Sequence, residues 1–302
     1  MTTTTETFLL GLVIFLLVWG GIVSFGAMRL LRRRRLRQAT TPNAHGMGYE
    51  TITFSARDGT PLVGWWILAP PSTQDEMPST ASTVILCHGS EGSMDHWLPL
   101  ARVLHQAGFN VFLFDFRAHG RSGGRHTTFG MYERDDLLGA IDVLAERGIT
   151  RVGVWGVSMG AATALLTAAQ MGKPSSIAAL IADGSFVYLK RTIARRIHFW
   201  GIPHWLGWHI AAWMLVVAGV RTHGRMDQVD PILWSKHIYI PVLYIHGGLD
   251  WLTTTAEASL LVAQTPAPHE FWIVPDARHG ETATKYPDDY AARIVGWFQR
   301  WL

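Results

Sequence analysis

The chain has 302 residues, 48% of them hydrophobic and only 16% charged. That length suits one large α/β domain with small additions or two modest domains, and the composition excludes a disordered polymer, which needs low hydrophobicity and high net charge. The formal charge of +3 is small, and much of the excess sits in Arg29, Arg32 to Arg35 and Arg37, which leaves no basic face in the folded part for nucleic acid.

Phe8 to Met28 is apolar and uncharged over about the 20 residues that a bilayer-crossing helix needs. A soluble core helix would carry a polar stripe every 3.6 residues, and none is present. A cleaved signal peptide carries its positive charge before the apolar stretch. Here the front is Thr-rich with Glu6, and the arginines follow, so residues 1–28 are expected to be a retained anchor. Lys and Arg beside a membrane helix stay on the cytoplasmic side, which places everything after Arg29 there. The same arginines favour anionic headgroups. Residues 29–48 are expected to form a basic juxtamembrane linker, since Gln38 to Gly48 show no apolar period.

The folded domain is expected over residues 49–302. Thr51–Phe54 and Leu62–Leu68, joined around Asp58-Gly59, carry an antiparallel hairpin signal. Pro70 to Ser82 is a polar loop. Strands are then predicted at Thr83–Cys87, Asn110–Phe114, Arg151–Trp155, Ile177–Ala182, Val242–His246 and Glu270–Val274. Each is a short apolar run without alternation, as in strands covered on both faces. Helical patterns lie between or after them at Leu98–Ala107, Met131–Glu146, Met159–Met171, Thr254–Gln264 and Asp288–Trp301. The alternation predicts an α/β class with a mostly parallel sheet. The single cysteine, Cys87, ends an apolar run and reads as a buried strand residue rather than a reactive thiol. With no disulfide available, a cytoplasmic domain fits well, as would a large secreted or periplasmic enzyme. Phe186 to Lys236 interrupts the pattern and reads as an inserted helical cap rich in aromatics and His.

Gly156-Val157-Ser158-Met159-Gly160 stands between a predicted strand and an Ala-rich helix. Small residues let a sharp strand-to-helix turn close, and that turn lifts the Ser side chain above the sheet. The helix N-terminus offers N–H groups to a developing oxyanion. A nucleophilic Ser needs a base, and the base an orienting acid. His279 lies in the loop after the last strand. Asp250 lies just beyond the strand at Val242, with Asp183 as the rival acid. The backbone N–H groups of Ser90 and Met159 are the expected oxyanion donors. His88 shapes the loop beside them. Glu91, His119, Trp205 and Trp208 are the candidates for touching substrate. No metal site is expected, because His204 and His209 lack the i, i+4 spacing of paired ligands on a helix, and no phosphate-binding glycine loop is present.

These motifs make the chain resemble the α/β-hydrolase superfamily. It is most similar to the branch of monoacylglycerol lipases, serine aminopeptidase-like hydrolases and membrane-associated ABHD-type hydrolases. The resemblance rests on His88-Gly89, Asp115-Phe116-Arg117-Ala118-His119-Gly120-Arg121-Ser122, the Ser158 turn, His246-Gly247 with Asp250, and His279-Gly280. It implies an α/β-hydrolase fold with a central sheet flanked by helices on both faces, and Ala118 stands where such hydrolases carry Gly. Arg117 and His119 are expected to brace the loop after Asn110–Phe114, with Asp115 as an ion partner. Cofactor-free cleavage of an ester, thioester or amide through an acyl-enzyme is the leading reading, with a small, lipid-like acyl substrate. An acyltransferase on the same residues and a catalytically silent lipid- or protein-binding scaffold are the alternatives. The apolar stretch Trp205 to Val220, with Trp208, His209 and Trp213, either faces the membrane or lines an ordinary acyl pocket. The oligomeric state is left open.

Overall fold

The computed structural model describes residues 2–32, 35–36, 38–70 and 81–302. Arg33, Arg34 and Arg37 of the basic cluster, and residues 71–80 of the predicted polar loop, lie outside the described residues. The chain opens with α1 (Thr2–Leu31), of which Thr4–Leu31 is long and apolar enough, by length and composition, to cross a membrane. Arg35 then donates to the carbonyls of His119, Gly120, Ser122, Gly123 and Gly124. Gln38 Nε2 donates to Asp115 at 3.2 Å, and Met47 is buried. The described residues of the segment expected as a basic juxtamembrane linker are therefore laid against the domain, because Arg35, Gln38 and the Ala39 amide find partners there.

The sheet follows in chain order: β1 (Glu50–Ser55), β2 (Pro61–Ile67), β3 (Thr83–Cys87), α2 (Leu98–Gln106), β4 (Asn110–Asp115), α3 (Glu133–Ala145), β5 (Val152–Val157), α4 (Met159–Met171) and β6 (Ile177–Asp183). The cap interrupts with α5 (Leu189–Phe199) and α6 (His204–Thr222). The remainder is β7 (Val242–Gly247), α7 (Thr255–Ala263), β8 (His269–Val274), α8 (Thr282–Lys285) and α9 (Pro287–Trp301). The eight strands form one sheet in the order β1-β2-β4-β3-β5-β6-β7-β8. β2 runs antiparallel to both neighbours, and the rest are parallel. Every residue of β3, β4, β5, β6 and β7 is buried, which is why these runs show no polar alternation.

Two apolar layers sandwich the sheet. One holds α3, α4 and the cap, joined by Val23, Ala27 and Leu31 of α1. The other holds α2 and α9 with Trp65, Trp155 and Tyr290. The loop after β4 is braced from within. Arg117 donates through Nε and Nη2 to Asp136 Oδ1 at 2.9 and 2.6 Å, through its backbone N–H to Oδ2 at 2.9 Å, and through Nη1 to Asp58 at 2.7 Å. This corrects the expected partner. Asp115 instead accepts from the amides of Met94 and Arg121, because its carboxylate turns back into its own loop. Burial opposes the charge on Arg117, but the Asp136 and Asp58 carboxylates outweigh it and hold the guanidinium firmly protonated. Replacing Arg117 by Leu strands a fully buried carboxylate. It should cost about 3–5 kcal/mol, read as a fall of more than about 6 °C in the unfolding temperature of the detergent-solubilised chain. A shift within about 2 °C would contradict a structural brace.

Candidate active site

The turn between β5 and α4 carries Ser158 at φ 53°, ψ −113°, a region that side-chain-bearing residues occupy only when the surroundings over-determine it. Two glycines make the closure. A Cβ on Gly156 would stand 2.4 Å from the Gly160 carbonyl, and one on Gly160 would stand 2.1 Å from the Cys87 carbonyl oxygen. Any side chain at either position would push α4 off the sheet. The Ser158 amide donates to the Asp183 carbonyl at 2.8 Å, which pins the turn to the end of β6.

Ser158 Oγ lies 3.0 Å from His279 Nε2, and His279 Nδ1 lies 2.7 Å from Asp250 Oδ2. The partners assign the tautomer: Nδ1–H donates to the carboxylate, so Nε2 is free to accept from the serine hydroxyl. Asp250 Oδ1 accepts from the amides of Leu252 and Thr253 at 2.8 and 3.0 Å. Burial works to raise the Asp250 carboxyl, but the His279 hydrogen bond and charge, with the Thr253 amide, overcome it and hold the group below the ordinary carboxylate range. Asp183, the rival acid, faces elsewhere. Its Oδ2 accepts from Thr282 Oγ1 at 2.6 Å and Tyr290 Oη at 2.7 Å, and burial pushes its carboxyl up.

His88 shapes its loop by accepting the Phe116 amide at Nε2, 3.0 Å, while Nδ1 meets the Gly89 carbonyl. His119 is buried between the carbonyls of Arg117 and Ser90, at 2.8 and 3.0 Å, and so braces the Ser90 loop from below. This is the bracing role expected first for it; as a candidate for touching substrate it does not line the cavity over Ser158. That cavity is about 240 Å³. Its polar rim includes Ser90, Glu91, His96, Arg196 and His279, and its apolar wall includes Leu30, Phe129, Phe186, Leu189, Ile193 and Leu252. Glu91 pairs with Arg196 across the rim. Met159, first residue of α4, also lines it, and first-turn amides have no acceptor within their own helix. Trp205 and Trp208 do not reach this cavity: they line a separate hollow with Arg191, Arg195 and His204 on the outside of the cap. The sequence had suggested otherwise because α6 is apolar nearly all round, which hides its inward face.

Among curated proteins the chain is 32% identical to the protein YqkD of Bacillus subtilis over 220 residues, covering 71% of this chain and 70% of that one. It is 33% identical to protein bem46 of Schizosaccharomyces pombe over 247 residues, covering 80% and 74%. The profile of the α/β-hydrolase fold family matches residues 82–201. The chain belongs to the α/β-hydrolase superfamily. A Pyrococcus furiosus esterase superposes with a TM-score of 0.74 at 27% identity, over 90% of this chain and 98% of that one. These likenesses support a hydrolase.

Several residues of this α/β-hydrolase site escaped the sequence reading. Glu133 is buried and accepts from Thr127 Oγ1, Thr128 Oγ1 and the amides of Thr128 and Gly130. It thereby holds Phe129 at φ 55° in the cavity wall. Arg195 of α5 donates to Glu257 at 2.6 and 2.9 Å and to the Leu252 carbonyl at 3.1 Å, tying the cap to the Asp250 loop. Their signal was weak, because a buried carboxylate and a helical Arg both look like ordinary surface charge until their partners are placed. Among the described residues no group of three or more His, Cys, Asp or Glu is arranged to hold a metal ion. Cys87 lies under the turn, fully buried, and burial followed by the Asp136 charge pushes its thiol well above the usual range. Iodoacetamide at pH 8 should leave Cys87 unmodified in the folded protein and modify it after denaturation, as mass spectrometry would register. Stoichiometric labelling of the native chain would contradict an inert thiol.

Proposed function

We propose that the chain is a membrane-anchored serine hydrolase that cleaves an acyl ester, thioester or amide with Ser158, His279 and Asp250. The observation that carries this reading is the continuous relay from the Ser158 hydroxyl through His279 to Asp250, at 3.0 and 2.7 Å. As the substrate carbonyl enters, His279 Nε2 takes the Ser158 proton while Oγ bonds to the carbonyl carbon. The N–H groups of Ser90 and Met159 receive the oxyanion. Collapse expels the leaving group, which takes the proton back from His279. Water, deprotonated by the same imidazole, then releases the acyl group. Asp250 keeps Nδ1–H pointing inward and steadies the imidazolium. The esterase likeness favours an acyl substrate of this kind.

α1 supplies the anchor, and the arginines behind it favour a cytoplasmic domain. No cofactor is required by any step.

A fluorophosphonate should label wild type and not Ser158→Ala, and that variant should lose roughly 10⁴-fold or more in ester hydrolysis with an unchanged unfolding temperature. Labelling of the variant at the wild-type rate would defeat the assignment. Asp250→Asn should lose roughly 10⁴-fold in kcat by favouring the wrong tautomer. Asp183→Asn should cost stability through Thr282 and Tyr290, about 1–3 kcal/mol, with a far smaller loss of kcat. The reverse ranking would make Asp183 the acid. The pH profile separates the two groups further. A depressed carboxyl stays ionised, and its contribution disappears only as pH falls through that lowered value. The Asp183 carboxyl, raised by burial, would instead lose its charge at a higher pH.

A further inference from the structure

The cavity over Ser158 is walled partly by the anchor. Leu30, in the last turn of α1, lines it opposite residues of the cap. The contact is built in at several points. Trp19, Val23, Ala27 and Leu31 form a stripe along α1 that packs into the layer containing α6, and the last three are almost fully buried. A Cβ on Gly26 would stand 3.0 Å from Met214 Sδ of α6. The Leu31 carbonyl accepts the Thr127 amide at 2.8 Å, next to the loop that presents Phe129 to the cavity. Arg35 then fastens the chain to the carbonyls of residues 119–124.

Helix length fixes how deep this joint lies. From Phe8 to Val18 every side chain of α1 is exposed. Those 11 residues reach about 16 Å at 1.5 Å each, against roughly 30 Å of hydrocarbon. About 20 residues are needed, so a crossing that starts at Phe8 ends near Ala27, within the stretch that already packs on α6. The joint, and with it the outer face of α6, then straddles the bilayer boundary, with Trp19 to Ala27 inside it and Leu31 beyond. That face suits the place: Trp205 is 68% exposed, Trp213 53%, Val216 54% and Val220 72%, and Lys190 sits 3.8 Å above the Trp208 ring. Aromatic rings beside cations are favoured at the headgroup level.

On the reading of Ser158 as a hydrolytic nucleophile, we propose that the anchor helix is itself a wall of the acyl site, with Leu30 as a specificity residue. The substrate is an acyl amphiphile taken from the bilayer that α1 crosses. Its chain lies against Leu30, Phe129 and Ile193, and its polar end lies toward the Glu91–Arg196 pair at the rim. The anchor therefore sets which acyl chains reach Ser158, besides holding the enzyme in place.

The test uses the full chain in liposomes and p-nitrophenyl esters of C4, C12 and C16 acids. Leu30→Trp should lower kcat/KM for C12 relative to C4 by about tenfold, the scale on which a filled apolar pocket discriminates. Leu30→Ala, which cannot overfill the wall, should move the preferred chain toward C16. It keeps the inference testable if the Trp variant fails to fold. Leu17→Trp, in the exposed part of α1, should leave the C12/C4 ratio within about twofold of wild type. Wild-type activity with a ratio unmoved by both Leu30 variants overturns the inference and leaves the hydrolase reading standing. Hydrolysis of neither ester by wild type overturns both. For the source of substrate, the C12 ester supplied within liposomes should be cleaved faster by the full chain than by a Trp205, Trp208 and Trp213→Ser triple variant. Equal rates would overturn uptake across this face.

Discussion

The positive φ of Ser158 is the constraint on which the site depends. A residue with a side chain is held there at a cost of about 1–3 kcal/mol, and the fold meets that cost from three directions. β5 delivers Ser158 at the carboxyl end of the sheet, β6 accepts its amide through the Asp183 carbonyl, and the missing side chains of Gly156 and Gly160 let α4 close onto β3. Release any of these and the hydroxyl no longer meets His279, whose loop is set by β8 and has no means of following it. The buried strand core is thus the rigid frame that makes 3.0 Å between Ser158 and His279 a stable distance and not a chance contact.

Around that frame the cap and the N-terminal helix are tied to the same loops that carry Asp250 and Ser90. Arg195 joins α5 to Leu252, two residues from Asp250. Arg196 meets Glu91 beside Ser90. Arg35 grips the loop whose His119 supports the Ser90 carbonyl. Each tie is a cation on a covering element reaching an acceptor beside the Ser158 cavity, so a movement of the cover is felt at the Asp250 loop or the Ser90 loop. The Arg117–Asp136 brace beneath is of another kind. It is buried, with two guanidinium N–H groups on one Asp136 oxygen and the Arg117 amide on the other, and it fixes the loop after β4 whatever the cover does.

The parts of this architecture legible in the sequence are those with local signals. β3 and α4 run between the residues that composition indicated, and the other strands differ mainly by a residue or two at their ends, where the last apolar residue passes into a loop. Ser158, Asp250 and His279 stood out because each follows a strand at the sheet edge where such sites form. The strand order was not legible, since pairing β4 between β2 and β3 depends on contacts distant in sequence. Asp136 for Arg117, Glu133 under Phe129, and Glu257 beneath Arg195 were hidden for the same reason. Which way Trp205 and Trp208 face stays open in the sequence, because a helix apolar on both faces gives no clue to which side is covered. Leu30 falls in the expected basic linker of residues 29–48, because the uncharged apolar run ends at Met28 and nothing local shows that α1 continues to Leu31 and turns Leu30 toward a cavity.

The central claim is that an acyl group resides covalently on Ser158 during turnover. Rapid mixing of the full chain with a p-nitrophenyl ester should release a burst of p-nitrophenol equal to about one equivalent of enzyme before the steady rate. Acid quenching during the burst should yield the acyl mass on the peptide containing Ser158. A linear release with no burst, together with no adduct at any time point under conditions where His279→Ala also turns over at the wild-type rate, would contradict the account.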